Sequence, residues 1–480
     1  MILSRPLFSG AALLLLFATP LSAERPRRAP ERSAISDYVR ARAADDLGEL
    51  NVAANGYAAA LAANPGDTNL ALRTLRQAVA AGDMALAVKT ARTLDAANAL
   101  PPDGTLLLAG EAIGRKDWKA ASVLVDRAEK QKLFAFLAPT MRAWIAYGSR
   151  QGDPMALLSS AGIGGLAATY ASEHRALLMI ASGHGPEGAA AIQTLDVSGG
   201  GRAARLHIAA AASLSQRHNR DAALGLLTGD DNAIVRARAT LTAGHKLRGA
   251  IDSPATGIAE LFVRVAADIN HDQANALALE FARIAATLAP DDSEAWLVTA
   301  NLLAGAGDFQ VALDALGHIA ADDPFVGAAR DARLTLLAQS GRTDQALAEA
   351  QAAASAPDAG VGDLARLGDL QMNGDHYAEA AAAYGRAIAL AGGDKAPGEV
   401  AWPLLLQQAN ALLQAGDWPG AKAAAEHAVA LAPQEPAVLN FLGYSQLERG
   451  ENVAGASAMI AQAQALAPDD PSITDSLGWS

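Results

Sequence analysis

Proline closes successive stretches of this chain at nearly constant intervals, in Leu288-Ala289-Pro290, Asp323-Pro324, Leu431-Ala432-Pro433 and Leu466-Ala467-Pro468. Pro290 and Pro324 lie 34 residues apart, and Pro433 and Pro468 lie 35 apart. A second mark, Gly-Asp-x-x-x-Ala, recurs inside the stretches at Gly82-Asp83 with Ala87, Gly307-Asp308 with Ala312, and Gly416-Asp417 with Ala421. Variants stand at Gly48-Glu49 with Ala53, Lys116-Asp117 with Ala121, and Gly341-Arg342 with Ala346. A period of this length marks a stacked helix–turn–helix array, because one such unit cannot bury its own apolar face. The chain beyond its first 33 residues has room for about 13 units.

The unit that begins at Ser293 shows the physics. Trp296, Thr299, Ala300 and Leu303 recur at helical spacing and form one face of a first helix. Gly307 is expected to end it in the left-handed conformation, and Asp308 to cap the next helix. Ala312, Leu316 and Ile319 line the second helix, which Pro324 is expected to stop. Ala300 and Ala312 are small where the two helices cross, so their backbones can approach closely. Gly443→Trp and Ala312→Phe are therefore expected to disrupt packing. Composition agrees with an all-α fold. Alanine dominates from Ala41 to Ala467 and aromatic residues are only 5% of the chain, which suits closely packed helices better than sheets.

The formal net charge of −13 excludes a general electrostatic affinity for nucleic acid or anionic lipid. With no cysteine, the chain has no disulfide, no thiolate nucleophile and no cysteine-ligated zinc. Its first residues read as a secretory leader. Arg5 precedes an apolar run from Leu7 to Ala18, then come Pro20 and the small residue Ala23. Cleavage between Ala23 and Glu24 is expected, which would export the protein to the periplasm with no direct membrane insertion afterwards. The arginines at 25, 27, 28 and 32 oppose export by the positive-inside tendency, so an uncleaved anchor is the alternative. Residues 24–33 read as a disordered linker. Residues 34–151 read as N-terminal repeats, 152–271 as divergent helical repeats with glycine-rich joins, and 272–480 as a C-terminal array. Ser480 falls inside a first helix, so a chain running on past it is expected.

No constellation of catalytic residues stands out. The nine histidines include no pair at metal-binding spacing, so no metal or cofactor is expected. Gly183-His184-Gly185-Pro186-Glu187-Gly188 fits a dinucleotide fingerprint only formally, since no strand precedes it and it holds a proline. It reads as a turn between helices. Acidic pairs such as Asp291-Asp292 and Asp469-Asp470 sit at turns, where capping accounts for them. No enzyme is expected within these 480 residues.

From about Ser33 to Ser480 the chain resembles the tetratricopeptide-repeat (TPR) family. Leu442-Gly443 and Leu477-Gly478 match its Leu-Gly pair, and Tyr384 and Ile460 occupy its large second-helix position. The segments Asn440–Tyr444 and Asp475–Trp479 are similar to those of exported bacterial TPR proteins. The resemblance implies a right-handed superhelical α-solenoid with an inner groove that holds a protein or peptide partner. Carried over by phase, the groove side chains are Asn301, Thr335, Arg366, Asp369, Asn410, Asn440 and Tyr444. Amides can donate to and accept from a peptide backbone, and tyrosine adds flat apolar area with a polar tip. A lysine-rich clamp for acidic tails is not recognisable. The implied function is a non-catalytic scaffold of the cell envelope. The alternative is the periplasmic arm of a polymer-export assembly whose later residues form an outer-membrane barrel.

Overall fold

The computed structural model describes residues 33–480 apart from 160–164, 196–199, 271–274, 358 and 480. The expected leader, its cleavage site and all but the last residue of the linker lie outside the described residues. Among those described there are 26 α-helices and no strand.

Six helix pairs come first. They are α1 (Ala34–Asp46) with α2 (Leu50–Ala63), α3 (Thr68–Ala81) with α4 (Met84–Ala96), and α5 (Pro102–Gly114) with α6 (Trp118–Lys130). Then follow α7 (Ala138–Ser149) with α8 (Pro154–Ser159), α9 (Gly165–Ala181) with α10 (Gly185–Thr194), and α11 (Gly200–Gln216) with α12 (Arg220–Leu226). A lone helix, α13 (Asn232–Thr242), precedes the hairpin α14 (Pro254–Asn270) and α15 (Asn275–Leu288).

Five further pairs form the C-terminal array. They are α16 (Ser293–Gly305) with α17 (Phe309–Leu316), α18 (Val326–Gln339) with α19 (Thr343–Ala354), and α20 (Val361–Asn373) with α21 (Tyr377–Ala391). The last are α22 (Gly398–Gln414) with α23 (Trp418–Leu431), and α24 (Pro436–Leu447) with α25 (Val453–Leu466), followed by α26 (Pro471–Trp479). Apart from α13 and α14, each helix packs on the next in sequence, and some first helices also touch across units, as α16 does α18 and α24 does α26. The chain is an all-α solenoid of TPR-like helix pairs.

The repeated residues do the work their chemistry suggests. Gly82, Gly307 and Gly416 have φ of +81°, +87° and +82°, the left-handed turn that a side chain would strain. Asp83, Asp117 and Asp417 accept from the backbone N–H groups of Leu86, Ala120 and Gly420 at 2.9, 3.1 and 3.0 Å, capping α4, α6 and α23. The motif alanines Ala53, Ala87, Ala121, Ala312, Ala346 and Ala421 are all 0% exposed, as are Ala380 and Ala456 at the same place in two further units. Complete burial at a crossing between two backbones is why only a methyl fits there. Tyr384 and Ile460 are buried as expected, and each meets a first-helix glycine. A Cβ on Gly368 would lie 2.7 Å from the Tyr384 ring, and one on Gly443 would lie 2.9 Å from Ile460 Cγ1 and from the Ala456 carbonyl. Gly443→Trp is accordingly expected to unseat α24 from α25, seen as lost helicity and a lower urea midpoint; unchanged values would show that this crossing can open.

Two expectations are corrected. Asp308 makes no side-chain cap, because its carboxylate faces the α1–α2 turn, where a Cβ on Gly48 would sit 3.2 Å from Oδ1. Nor does Pro324 stop α17, which already ends at Leu316. Past that end the His318 ring stacks on Trp296 at 3.9 Å, holding the segment in a turn. Pro290, Pro433 and Pro468 do follow their helices by two residues.

Candidate partner-binding groove

The resemblance expects first helices to line the concave side of the solenoid, and the two halves differ in what packs against those helices. In the N-terminal half they are covered by the chain itself. Helix α14 lies against α5, α7 and α9, and α15 against α3, α4 and α5. The fit is close. A Cβ on Gly257 of α14 would stand 2.1 Å from the buried Trp144 ring of α7, and one on Gly110 of α5 would stand 2.9 Å from Ile284 of α15. Phe281 of α15 packs edge-on against Phe134 and Phe262, with ring centroids 5.5 and 5.2 Å away. Trp144 Nε1 donates to His174 Nδ1 at 3.0 Å, and burial pushes the His174 ring down to about 3, so it stays neutral.

Polar contacts lock the same hairpin in place. Tyr170 donates to Asp268 at 2.8 Å, and Arg283 donates to the Ala80 carbonyl at 3.1 Å. Arg205 of α11 meets Glu260 of α14 at 2.6 Å, Asp292 at 3.3 Å, and Glu294 of α16. Burial raises the Glu260 carboxyl although Arg205 pulls it down. One guanidinium thus ties together the N-terminal array, the hairpin and the head of the C-terminal array, which is costly to break because the survivors would be buried and unpaired. The hairpin α14–α15 spans the boundary expected at residues 271/272. Periodicity alone could not reveal it, since both helices carry ordinary amphipathic patterns.

In the C-terminal half, no described helix from elsewhere in the chain packs extensively on α18–α26. Asn301, Thr335, Asp369, Asn410 and Tyr444 stand on α16, α18, α20, α22 and α24, spaced by 34, 34, 41 and 34 residues. The longer step holds a short 3-10 turn at Gly393–Lys395. Asn301 is exposed and Asn410 half-buried, and neither side chain makes a hydrogen bond among the described residues. Asn440 is half-buried, with its Oδ1 enclosed and without a donor. Tyr444 is half-buried beside a shallow cavity of about 560 Å³ that it lines with Leu447, Glu448 and Arg449.

Three candidates have structural partners. The Thr335 hydroxyl donates to the Asp331 carbonyl at 2.9 Å, within its own helix. Arg366 reaches Asp331 of the preceding unit at 3.4 Å and Asp369 at 3.7 Å, and Asp369 accepts from the Tyr384 hydroxyl at 2.7 Å. Desolvation by its neighbours raises the Asp331 carboxyl although the residue stays exposed; Arg366 lowers it, and Asp363 and Asp369 raise it further. Glu448 holds the Tyr444 phenol above its usual value, with Asp475 of α26 adding to the effect. Asp331, Glu448 and Asp475 were not among the expected groove residues. Register could have found the first two: Asp331 precedes Thr335 by four residues, and Glu448 follows Tyr444 by four, so each shares its neighbour's helix face. Among the described residues, no group of three or more potential ligands is placed to hold a metal, and no helix is long and apolar enough to cross a membrane.

No protein-family profile and no curated protein matches the chain. Solved structures do. Cut9 in the APC/C Cut9–Hcn1 hetero-tetramer is 14% identical over 93% of this chain and 96% of its own, with a TM-score of 0.36. The type IV pilus biogenesis factor PilW is 17% identical over 46% of this chain and 98% of its own, at 0.36. YrrB, a TPR protein with an unusual peptide-binding site, is 16% identical over 40% and 94%, at 0.30. At these identities and scores, the fold rests on the helix pairs described above.

Proposed function

We propose that this protein is a non-catalytic scaffold of the cell envelope that holds a segment of a partner protein on the concave side of α16–α26. The observation that carries the reading is the contrast between the two halves. The first helices of the N-terminal half are covered by α14–α15, whereas those of the C-terminal half carry Asn301, Asn410, Asn440 and Tyr444, exposed or half-buried. Replacing Asn410, Asn440 and Tyr444 together by alanine is expected to reduce recovery of cross-linked partners from envelope fractions about tenfold, with the thermal melt unchanged. Full recovery by the triple variant would remove this surface from consideration. Recovery of the protein from the cytosol alone would remove the envelope assignment.

A further inference from the structure

The chain's charge is divided sharply along its length. Residues 291–480 hold 25 acidic and 8 basic side chains, a net −17, while residues 1–290 carry +4 of the total of −13. The C-terminal array therefore accounts for more than the whole negative charge. Its few cations are largely consumed locally. Arg333 pairs with Glu349 at 2.7 Å and Lys422 with Glu451 at 2.9 Å. Arg449 lies over the Trp418 ring at 4.5 Å, and Arg386 donates to the Ala354 carbonyl at 2.8 Å. Arg330 lines the cleft between α18 and α19, together with Arg333 and Glu349.

On the first helices themselves the excess acid is exposed. Asp331, Glu448 and Asp475 are exposed, and Asp369 is half-buried. Two cations face them: Arg366, held between Asp331 and Asp369, and Arg449, which lies 3.8 Å from Glu448. Asn440, Tyr444 and Glu448 follow one another at four-residue intervals along one stripe of α24, and Asp475 acts on Tyr444 from α26. A phenol ring flanked by two carboxylates suits a guanidinium or ammonium group, which gains both ion pairing and the ring face.

Resting on the groove reading above, we propose that the segment held by the C-terminal concave side is a cationic, extended polypeptide, rich in lysine or arginine. From α18 to α26 there are four steps between first helices, each of roughly 10 Å. An extended strand of about 12 residues spans that distance. Its basic side chains meet Asp331 and Asp369 at one end and Tyr444, Glu448 and Asp475 at the other, and its backbone passes the amides of Asn410 and Asn440.

Two labelled 12-residue peptides test this on the full chain by fluorescence anisotropy, one alternating lysine with serine and the other glutamate with serine. The lysine peptide is expected to bind and to weaken about tenfold between roughly 50 and 300 mM salt, as screened charge contacts do. The glutamate peptide is expected not to bind. Asp331→Asn, Glu448→Gln and Asp475→Asn together are expected to weaken the lysine peptide at least about fivefold. A matched variant of second-helix acids, Asp344→Asn, Glu379→Gln and Glu426→Gln, is expected to leave it unchanged. Equal binding of both peptides, or no binding of either, overturns the cationic assignment. In that case the alanine variant of Asn410, Asn440 and Tyr444, scored on cross-linked partners, still decides the groove reading by itself. Equal weakening by the two acid-neutralised variants overturns the location, because it makes the attraction a property of net charge alone.

Discussion

Replacing Gly257 by valine is expected to destabilise the protein by about 3 kcal/mol, at the upper end for an overpacked core. Even the first carbon of the new side chain would fall 2.1 Å from Cε2 of Trp144. That ring has nowhere to go. It is 0% exposed, its Nε1 is bonded to His174, and Tyr147 and His174 both meet it edge-on. The strain is relieved only by lifting α14 off α7, which exposes the concave side of the N-terminal array and leaves Glu260 facing a displaced Arg205. Urea unfolding and limited proteolysis of the 243–253 connection should report this together, as a lower midpoint and faster cleavage. Gly305→Ala is the control, since nothing lies within 4 Å of a Cβ there. A Gly257 variant that melts like the Gly305 one would mean that α14 is not seated in the groove.

Glu280→Gln should have the opposite sign and a strong dependence on pH. Burial holds the Glu280 carboxyl well above its ordinary range, the Asp103 carboxylate beside it raises it further, and Arg76 opposes them. The folded state thus binds this proton more tightly than the unfolded chain does. Stability is lost as pH rises from the unfolded value near ~4.3 toward the folded one, at about 1.4 kcal/mol per pH unit across that window. Glutamine cannot ionise, and its amide can still donate to Asp103. The variant should therefore match the parent near pH 4, exceed it at pH 7, and exceed it most at alkaline pH. Melting curves at about pH 4, 7 and 9 check this. A difference that stays constant over that range would mean that Glu280 keeps an ordinary carboxyl. Because α15 carries Glu280 against α5, the result also shows whether one titrating group helps decide how firmly the hairpin is held.

Much of the architecture was legible because its causes are local. A left-handed glycine, a capping aspartate and an alanine four residues later each act within one turn of chain, so Gly82, Asp83 and Ala87 announce a helix pair without any knowledge of their neighbours. The exceptions have local explanations that only neighbours supply. Asp308 fails as a cap because a turn some 260 residues earlier in the chain lies against it, and α17 stops early where Trp296 captures His318. The candidate groove was legible in the same partial way. Spacing placed Asn301, Thr335, Asp369, Asn410 and Tyr444 at one register position, but could not show that Asp369 is engaged by Tyr384 or that Arg366 bridges two units.

The sequence by itself determined the helix pairs, their turns and the small residues at their crossings, because these are set by backbone conformation and side-chain volume over a few residues. Tertiary structure alone decided that α14 and α15 fold back onto α3, α4, α5, α7 and α9, covering the first helices of one half and leaving those of the other without such a cover. That choice depends on the accumulated curvature of six successive pairs and on complementary contacts such as Gly257 with Trp144 and Arg205 with Glu260. Neither property is carried by any single repeat.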